Sequence, residues 1–348
     1  MSRLAPVIAD LAGDDGQPGR QLADLLLVGG RQRHARAVTE QEPGWYKYAK
    51  GLVLRVGLAD GVVEECIEYA SPTSVCPPDE PAILFKCASL SGNLLFACTQ
   101  TEVLIYDLAT WELAHYISLP IFNDVHHVLP TDQGTLLVAI SGLDMVAEVT
   151  LDGRVVREWN TCGVDTWSRF SRDIDYRLVA STKPHLAHPN FLFKRGDDYW
   201  VTRFEGRDAI NLNDPTQRIE IGLERVHDGV VDGERIYFTT VNGHLVIVDA
   251  ESLAVERIVD LTAFHPPDVL LGWCRGVLVD GERVWVGFSR LRMTRFRQNL
   301  SWVRTGFRAQ LPTRVDCYDL AAGRLVRSID LQSRGLDAVF SVLPAPPR

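Results

Sequence analysis

Apolar and polar residues along this chain fall into short β-rich runs broken by Gly, Asp and Asn turns, and sustained 3.6-residue periodicity is nearly absent. The pattern predicts an all-β protein. Two segments nearly superimpose: "HDGVVDGERIYFTTVNGHLVIVDAESLAVERIVDL" (227–261), and "CRGVLVDGERVWVGF" (274–288) completed by "TRVDCYDLAAGRLVRSIDL" (313–331). Each reads as four strands: a short strand A, a "VDGER" hairpin, an aromatic strand B, a second hairpin into strand C, and a turn into strand D. The same order runs through 82–119, 123–159 and 188–223. A sixth unit assembles from both ends of the chain, with "LDAVFSVLP" (336–344) as one strand and "DLLLVGG" with "GLVLRVGLADGVVEECIEYA" (51–70) as the rest. Such a split unit closes a ring without leaving a free edge.

Four-stranded units repeated radially at this spacing describe a β-propeller. The count predicts six blades in a single domain over 1–348, with seven blades as the alternative count and 1–20 as a flexible N-terminal segment. Two β-sandwiches would not need units this similar or a C-terminal strand completing an N-terminal sheet. WD and kelch signatures are absent. The repeat shape resembles the six-bladed superfamily of NHL-repeat, gluconolactonase-like (SMP-30) and strictosidine-synthase-like propellers over nearly the whole chain.

That resemblance implies one divalent cation on the axis, which gluconolactonase-like propellers hold through carboxylate and Asn oxygens while hydrolysing lactones or organophosphates. Asn190, Asp228 and Asp337 are the oxygen donors available for such a part. The early Glu of that family's metal set has no counterpart, because the blade beginning at 82 offers "AILF" there. In site chemistry alone the chain is similar to the longer, seven-bladed carotenoid-oxygenase propellers, where four His hold iron.

The 348 residues carry a formal charge of −9 with no sustained acidic tract, which argues against nucleic acid or an anionic membrane as partner. No stretch suits a signal peptide or 18 consecutive apolar residues, so a cytoplasmic protein is expected. Seven scattered cysteines without a CxxC pair fit reduced thiols. G-x-S-x-G, P-loop and dinucleotide-binding fingerprints are missing.

The loops into strand A and between B and C open on one propeller face. The long insertions all fall there: 160–187, 262–273 and 289–313. The residues opening each strand A should meet around the axis. They are Asp124, His126 and His127 in "FNDVHHV"; His188 and Asn190; His227 and Asp228; Cys274 and Arg275; and Asp337, with only the blade at 82 apolar. His185 and His265 sit just upstream, and His244, Arg203, Glu205, Arg207 and Asp208 fall on the same face.

Imidazoles converging from separate strands suit a divalent transition metal, with Asp as an anionic supplement. Expected ligands are His126 or His127, His188 and His227, with Asp124 and Asp337; only one of the adjacent histidines can face the axis. Fe(II) or Zn(II) stands ahead of Mn(II) or Ca(II). Strand-end histidines also serve simply as hydrogen-bonded structural residues. His127, His244 and Asp228 are the candidate catalytic groups, and Arg203, Arg207, Arg275 and Asn190 the candidate substrate contacts. The Arg-rich 289–313 insertion, with Arg at 290, 292, 295, 297, 304 and 308, could clamp a carboxylate or phosphate or form an oligomer contact. The sequence therefore points to a metalloenzyme for a small, polar, anionic metabolite, oxidative with iron and a hydrolase, lyase or epimerase with zinc, manganese or calcium. The alternative is a non-catalytic propeller that binds a protein or ligand on the same face.

Overall fold

The computed structural model describes residues 22–33, 48–78, 81–291 and 309–347. Six four-stranded antiparallel sheets follow one another in the order of the chain, and together they form a six-bladed β-propeller. Blade 1 pairs Ala338–Pro344, Asp24–Gln32, Tyr48–Gly57 and Val63–Tyr69, from the inside outwards. The C-terminal strand thus completes the N-terminal sheet, with Leu25 opposite Pro344 and Gly30 opposite Ala338. The innermost strands of blades 2 to 6 are Ser89–Ser91, Val125–Pro130, Pro189–Arg195, Val226–Asp232 and Trp273–Asp280.

Period-2 alternation explains how one strand serves two neighbours. Leu25 and Leu27 pack with Trp285, Val315 and Cys317 of blade 6, whereas Leu26 and Val28 pack with Phe85, Leu95 and Leu104 of blade 2. The same division recurs between blades 2 and 3, 3 and 4, 4 and 5, and 5 and 6. Every gap between blades therefore holds its own core, and strands such as Leu94–Cys98 and Leu136–Ile140 are buried at every position. Outermost strands have a wet side, as the alternation in Arg324–Asp330 shows. The "VDGER" hairpins turn through Gly233 (φ +56°) and Gly281 (φ +61°), a backbone region that costs side-chain-bearing residues energy.

By the strand order, the 160–187 and 262–273 insertions and the two described ends of 289–313 leave the sheets on one face. There Val269–Leu270 pairs in parallel with Ala309–Gln310, joining the ends of the latter two. Residues 1–20 and Arg292, Arg295, Arg297, Arg304 and Arg308 lie outside the described residues. All seven cysteines are free thiols. Among the described residues, no helix is long and apolar enough to cross a membrane.

One register needs correction. The inner hydrogen-bonded strand of blade 2 is Ser89–Ser91, not the "AILF" at 82–85. Ile83 and Phe85 donate backbone N–H groups to Tyr48 and Gly29 of blade 1, and Cys87 then donates to His126 of blade 3. The residue brought to the axial mouth is therefore Lys86, fully buried. That blade is not apolar at the axis.

Candidate metal centre

Local backbone chemistry decides what stands at the axial mouth. Asp124 (φ +51°) and His188 (φ +54°) open their blades in the left-handed region, which Asp and His tolerate better than most residues but at a cost of about 1–3 kcal/mol each. Neighbouring groups hold them there. The buried Asp144 carboxylate accepts the backbone N–H groups of Leu186 (2.8 Å), Ala187 (2.9 Å) and His188 (2.8 Å), and also pairs with Arg169 (2.8 Å). Asn123, next to Asp124, donates to the carbonyls of Tyr176 (2.8 Å) and Val179 (2.7 Å), which ties down the 160–187 insertion. Thr182 donates to the Gly142 carbonyl (2.6 Å) and lies 3.3 Å from His185 Nε2.

These anchors gather Asp124, His185 and His188 so that one ligand atom from each lies within 4.8 Å of the others. His185 Nδ1 is 2.7 Å from His188 Nδ1 and 4.0 Å from an Asp124 carboxylate oxygen. His126 stands behind them, its Nε2 3.3 Å from His188 Nε2. The His126 Nδ1–H is shared by the Asp124 carbonyl (2.9 Å) and the Ser141 hydroxyl (3.0 Å), a network that leaves the lone pair on Nε2, towards the cluster. Lys86 forms an ion pair with Asp124 and lies 3.4 Å from His126 Nδ1. The site keeps an opening: the Asp124 side chain is 18% exposed.

Burial holds His126, His185 and His188 below the usual imidazole range, and the Lys86 ammonium adds to the effect. Burial opposes ionisation of Asp124, but the charge beside it, that of Lys86 foremost, outweighs burial and keeps the carboxyl well below its ordinary value. The site therefore offers neutral imidazoles and a carboxylate, the protonation states that ligate metals.

The adjacent histidines of "FNDVHHV" part company. His126 joins the cluster, while His127 is a buried clasp between inner strands: its Nδ1 accepts the Leu192 N–H (2.9 Å) and its Nε2–H donates to Ser89 (2.9 Å), with Phe191 stacked at 4.1 Å. Both nitrogens are satisfied. Burial pushes the His127 pKa down to about 3. The unfolded chain, with its imidazole near 6.5, binds the proton more readily, so the contribution of this clasp is complete above about pH 6.5 and is lost as pH falls towards 3. Urea titrations from pH 7.5 downwards should show stability falling below about pH 6.5, with a weaker pH dependence in His127→Asn.

The other sequence-predicted residues lie elsewhere. His227 is sealed between Cys87 Sγ (3.9 Å from Nε2) and Asp228 (3.6 Å from Nδ1), and burial lowers its pKa while raising that of Cys87. Asp228 accepts from the Gly276 N–H (3.0 Å) and Thr239, and Asn190 donates to the Val226 carbonyl (3.0 Å). Arg275 is buried with its guanidinium over Phe340 (4.6 Å) and Trp273 (5.2 Å). Arg203 is engaged by the buried Asp208 and the Thr161 carbonyl, whereas Arg207 is exposed. His244 meets Asn242 (3.0 Å), Asp337 accepts from the Gln32 N–H (2.8 Å), and His265 meets Tyr318 (2.8 Å). Strand-opening positions thus bring together Asp124, His126 and His188. The sequence reading missed Lys86 and Asp144, and it noted His185 only as a loop neighbour.

No family model and no curated protein matches the chain. One solved structure with the same fold stands above two others. A protein of unknown function from Bacteroides caccae superposes with a TM-score of 0.60 at 14% identity, covering 93% of this chain and 100% of its own. Virginiamycin B lyase from Staphylococcus aureus gives 0.43 at 13% identity, covering 68% of this chain and 69% of its own. The Swd1 β-propeller domain from Myceliophteria thermophila gives 0.49 at 12% identity, covering 80% of each chain. At these identities the likeness concerns the fold alone, and the chemistry rests on the residues.

Proposed function

We propose that Asp124, His185 and His188 hold one divalent transition-metal ion, and that the protein is a metal-dependent enzyme acting on a small polar metabolite at this mouth. The observation that carries the reading is the convergence of two neutral imidazoles and one carboxylate, from two blade openings and one anchored loop, beside an opening to solvent. Two His and one carboxylate on one side of an ion leave further coordination positions open, an arrangement suited to non-haem Fe(II) and, with water, to Zn(II). A bound ion would supply Lewis acidity or, as iron, redox chemistry. The protein's own part is positional: Asp144 fixes the backbone of 186–188, Ser141 and the Asp124 carbonyl fix the His126 tautomer, and Phe204 flanks the His188 ring at 5.0 Å.

The test is elemental analysis of protein purified without chelator. Wild type and the control His115→Ala should carry about one equivalent of metal, and His185→Ala and His188→Ala less than about a tenth of that, in line with the loss expected when one of three ligands is removed. Metal-free wild type, or metal retained in both ligand variants, would sink the proposal.

A further inference from the structure

The charges around the cluster say what must accompany a metal ion. Three imidazoles contribute none. Among the described residues the one carboxylate within ligating distance, Asp124, is already neutralised by Lys86, whose side chain is 1% exposed and cannot turn into bulk water without leaving the core. The next charged neighbours of His185 and His188 are Asp144 and Lys183. Asp144 is committed to Arg169 and to three backbone N–H groups, so it offers no surplus negative charge. A divalent ion placed here would keep both positive charges, next to a fixed ammonium and within a largely buried mouth.

Uncompensated charge in such a place is costly, since like charges a few ångströms apart repel strongly where water is largely excluded. An ordinary site of two His and one carboxylate carries a net negative ligand set, and Lys86 cancels that here. Resting on the metal-ion reading above, we infer that the ligand set is completed by a small oxyanion, a carboxylate or phosphate group of the substrate, and that metal and anion bind with strong positive cooperativity. Lys86 is then a specificity-determining residue. It makes the loaded site cationic and so selects anionic over neutral molecules of the same shape, a part for which the sequence offered arginines, two of which, Arg203 and Arg275, are engaged elsewhere.

The test measures Zn(II) affinity of the full chain by competition with a chromophoric chelator, with lactate as the carboxylate probe, methylphosphonate as the phosphate-like probe and lactamide as the neutral control. At least one anion should tighten Zn(II) binding by about tenfold or more relative to lactamide, which corresponds to about 1.4 kcal/mol of coupling. Whichever anion does so names the class. In Lys86→Gln, Zn(II) should bind more tightly without anion and the enhancement should fall below about threefold. Zn(II) binding to wild type that neither anion strengthens overturns the inference while leaving the metal centre standing, and so does enhancement that survives undiminished in Lys86→Gln. Failure of Zn(II) to bind under any condition removes the metal centre itself. The wild-type comparison decides the question even if Lys86→Gln does not fold.

Discussion

A chain ending at residue 335 is expected to be insoluble or unfolded, although it loses only the last 13 of 348 residues. Those residues include the innermost strand of blade 1, and Leu336, Val339, Phe340 and Val342 are each no more than 1% exposed. At about 1.5–3 kcal/mol per fully buried side chain, these four account for about 6–12 kcal/mol, comparable with the roughly 5–15 kcal/mol by which a whole domain is stable. The deletion would also bare the edge of Asp24–Gln32, whose partner it removes, and unpaired edges aggregate. Soluble yield and far-ultraviolet circular dichroism melts give the answer. A soluble truncated protein that melts like the full chain would mean that the ring does not depend on this closure.

Asp144→Ala should damage both stability and metal binding. Asp144 is fully buried, and its removal strands the Arg169 guanidinium, which is 22% exposed, and leaves three backbone N–H groups without their acceptor. Breaking a buried pair of this kind costs about 3–5 kcal/mol, towards the lower figure here because Arg169 can reach water. The 186–188 backbone would relax from its left-handed turn at His188, and loss of such a supporting group typically weakens metal affinity about 10- to 100-fold. Asp144→Asn, which keeps an acceptor but not the charge, should fall between the two. Urea unfolding reports the first effect and Zn(II) titration the second. Unchanged affinity in Asp144→Ala would show that the loop holds its shape without this carboxylate.

The architecture was legible because propeller strands write their environment into the chain. Runs such as "LLFAC" and "LLVAI" are buried on both faces between blades, while "RLVRSID" alternates on the rim. Even the split blade was visible, since "AVFSV" has no partner until it is set beside "DLLLVGG". The site was legible only where a polar residue opens a strand, as Asp124, His126 and His188 do. Lys86 escaped because the apolar "AILF" before it is not the strand opening: it runs along blade 1, and the axial register begins later than hydrophobicity suggests. His185 owes its place to an anchor 41 residues earlier in the chain, Asp144, and no local pattern announces that pairing. Arg203 and Arg275 show the opposite case. Charge alone suggested a clamp, but Arg203 is committed to Asp208 by a fork of hydrogen bonds and Arg275 has its guanidinium over aromatic rings.

The central claim is that a metal ion sits among Asp124, His185 and His188, and anomalous diffraction at the zinc edge from crystals grown with Zn(II) tests it most directly. The account predicts one strong anomalous peak about 2.0–2.2 Å from an Asp124 oxygen and from a ring nitrogen of each histidine. Crystals that show these three side chains unliganded, with zinc bound only elsewhere on the protein, would contradict it.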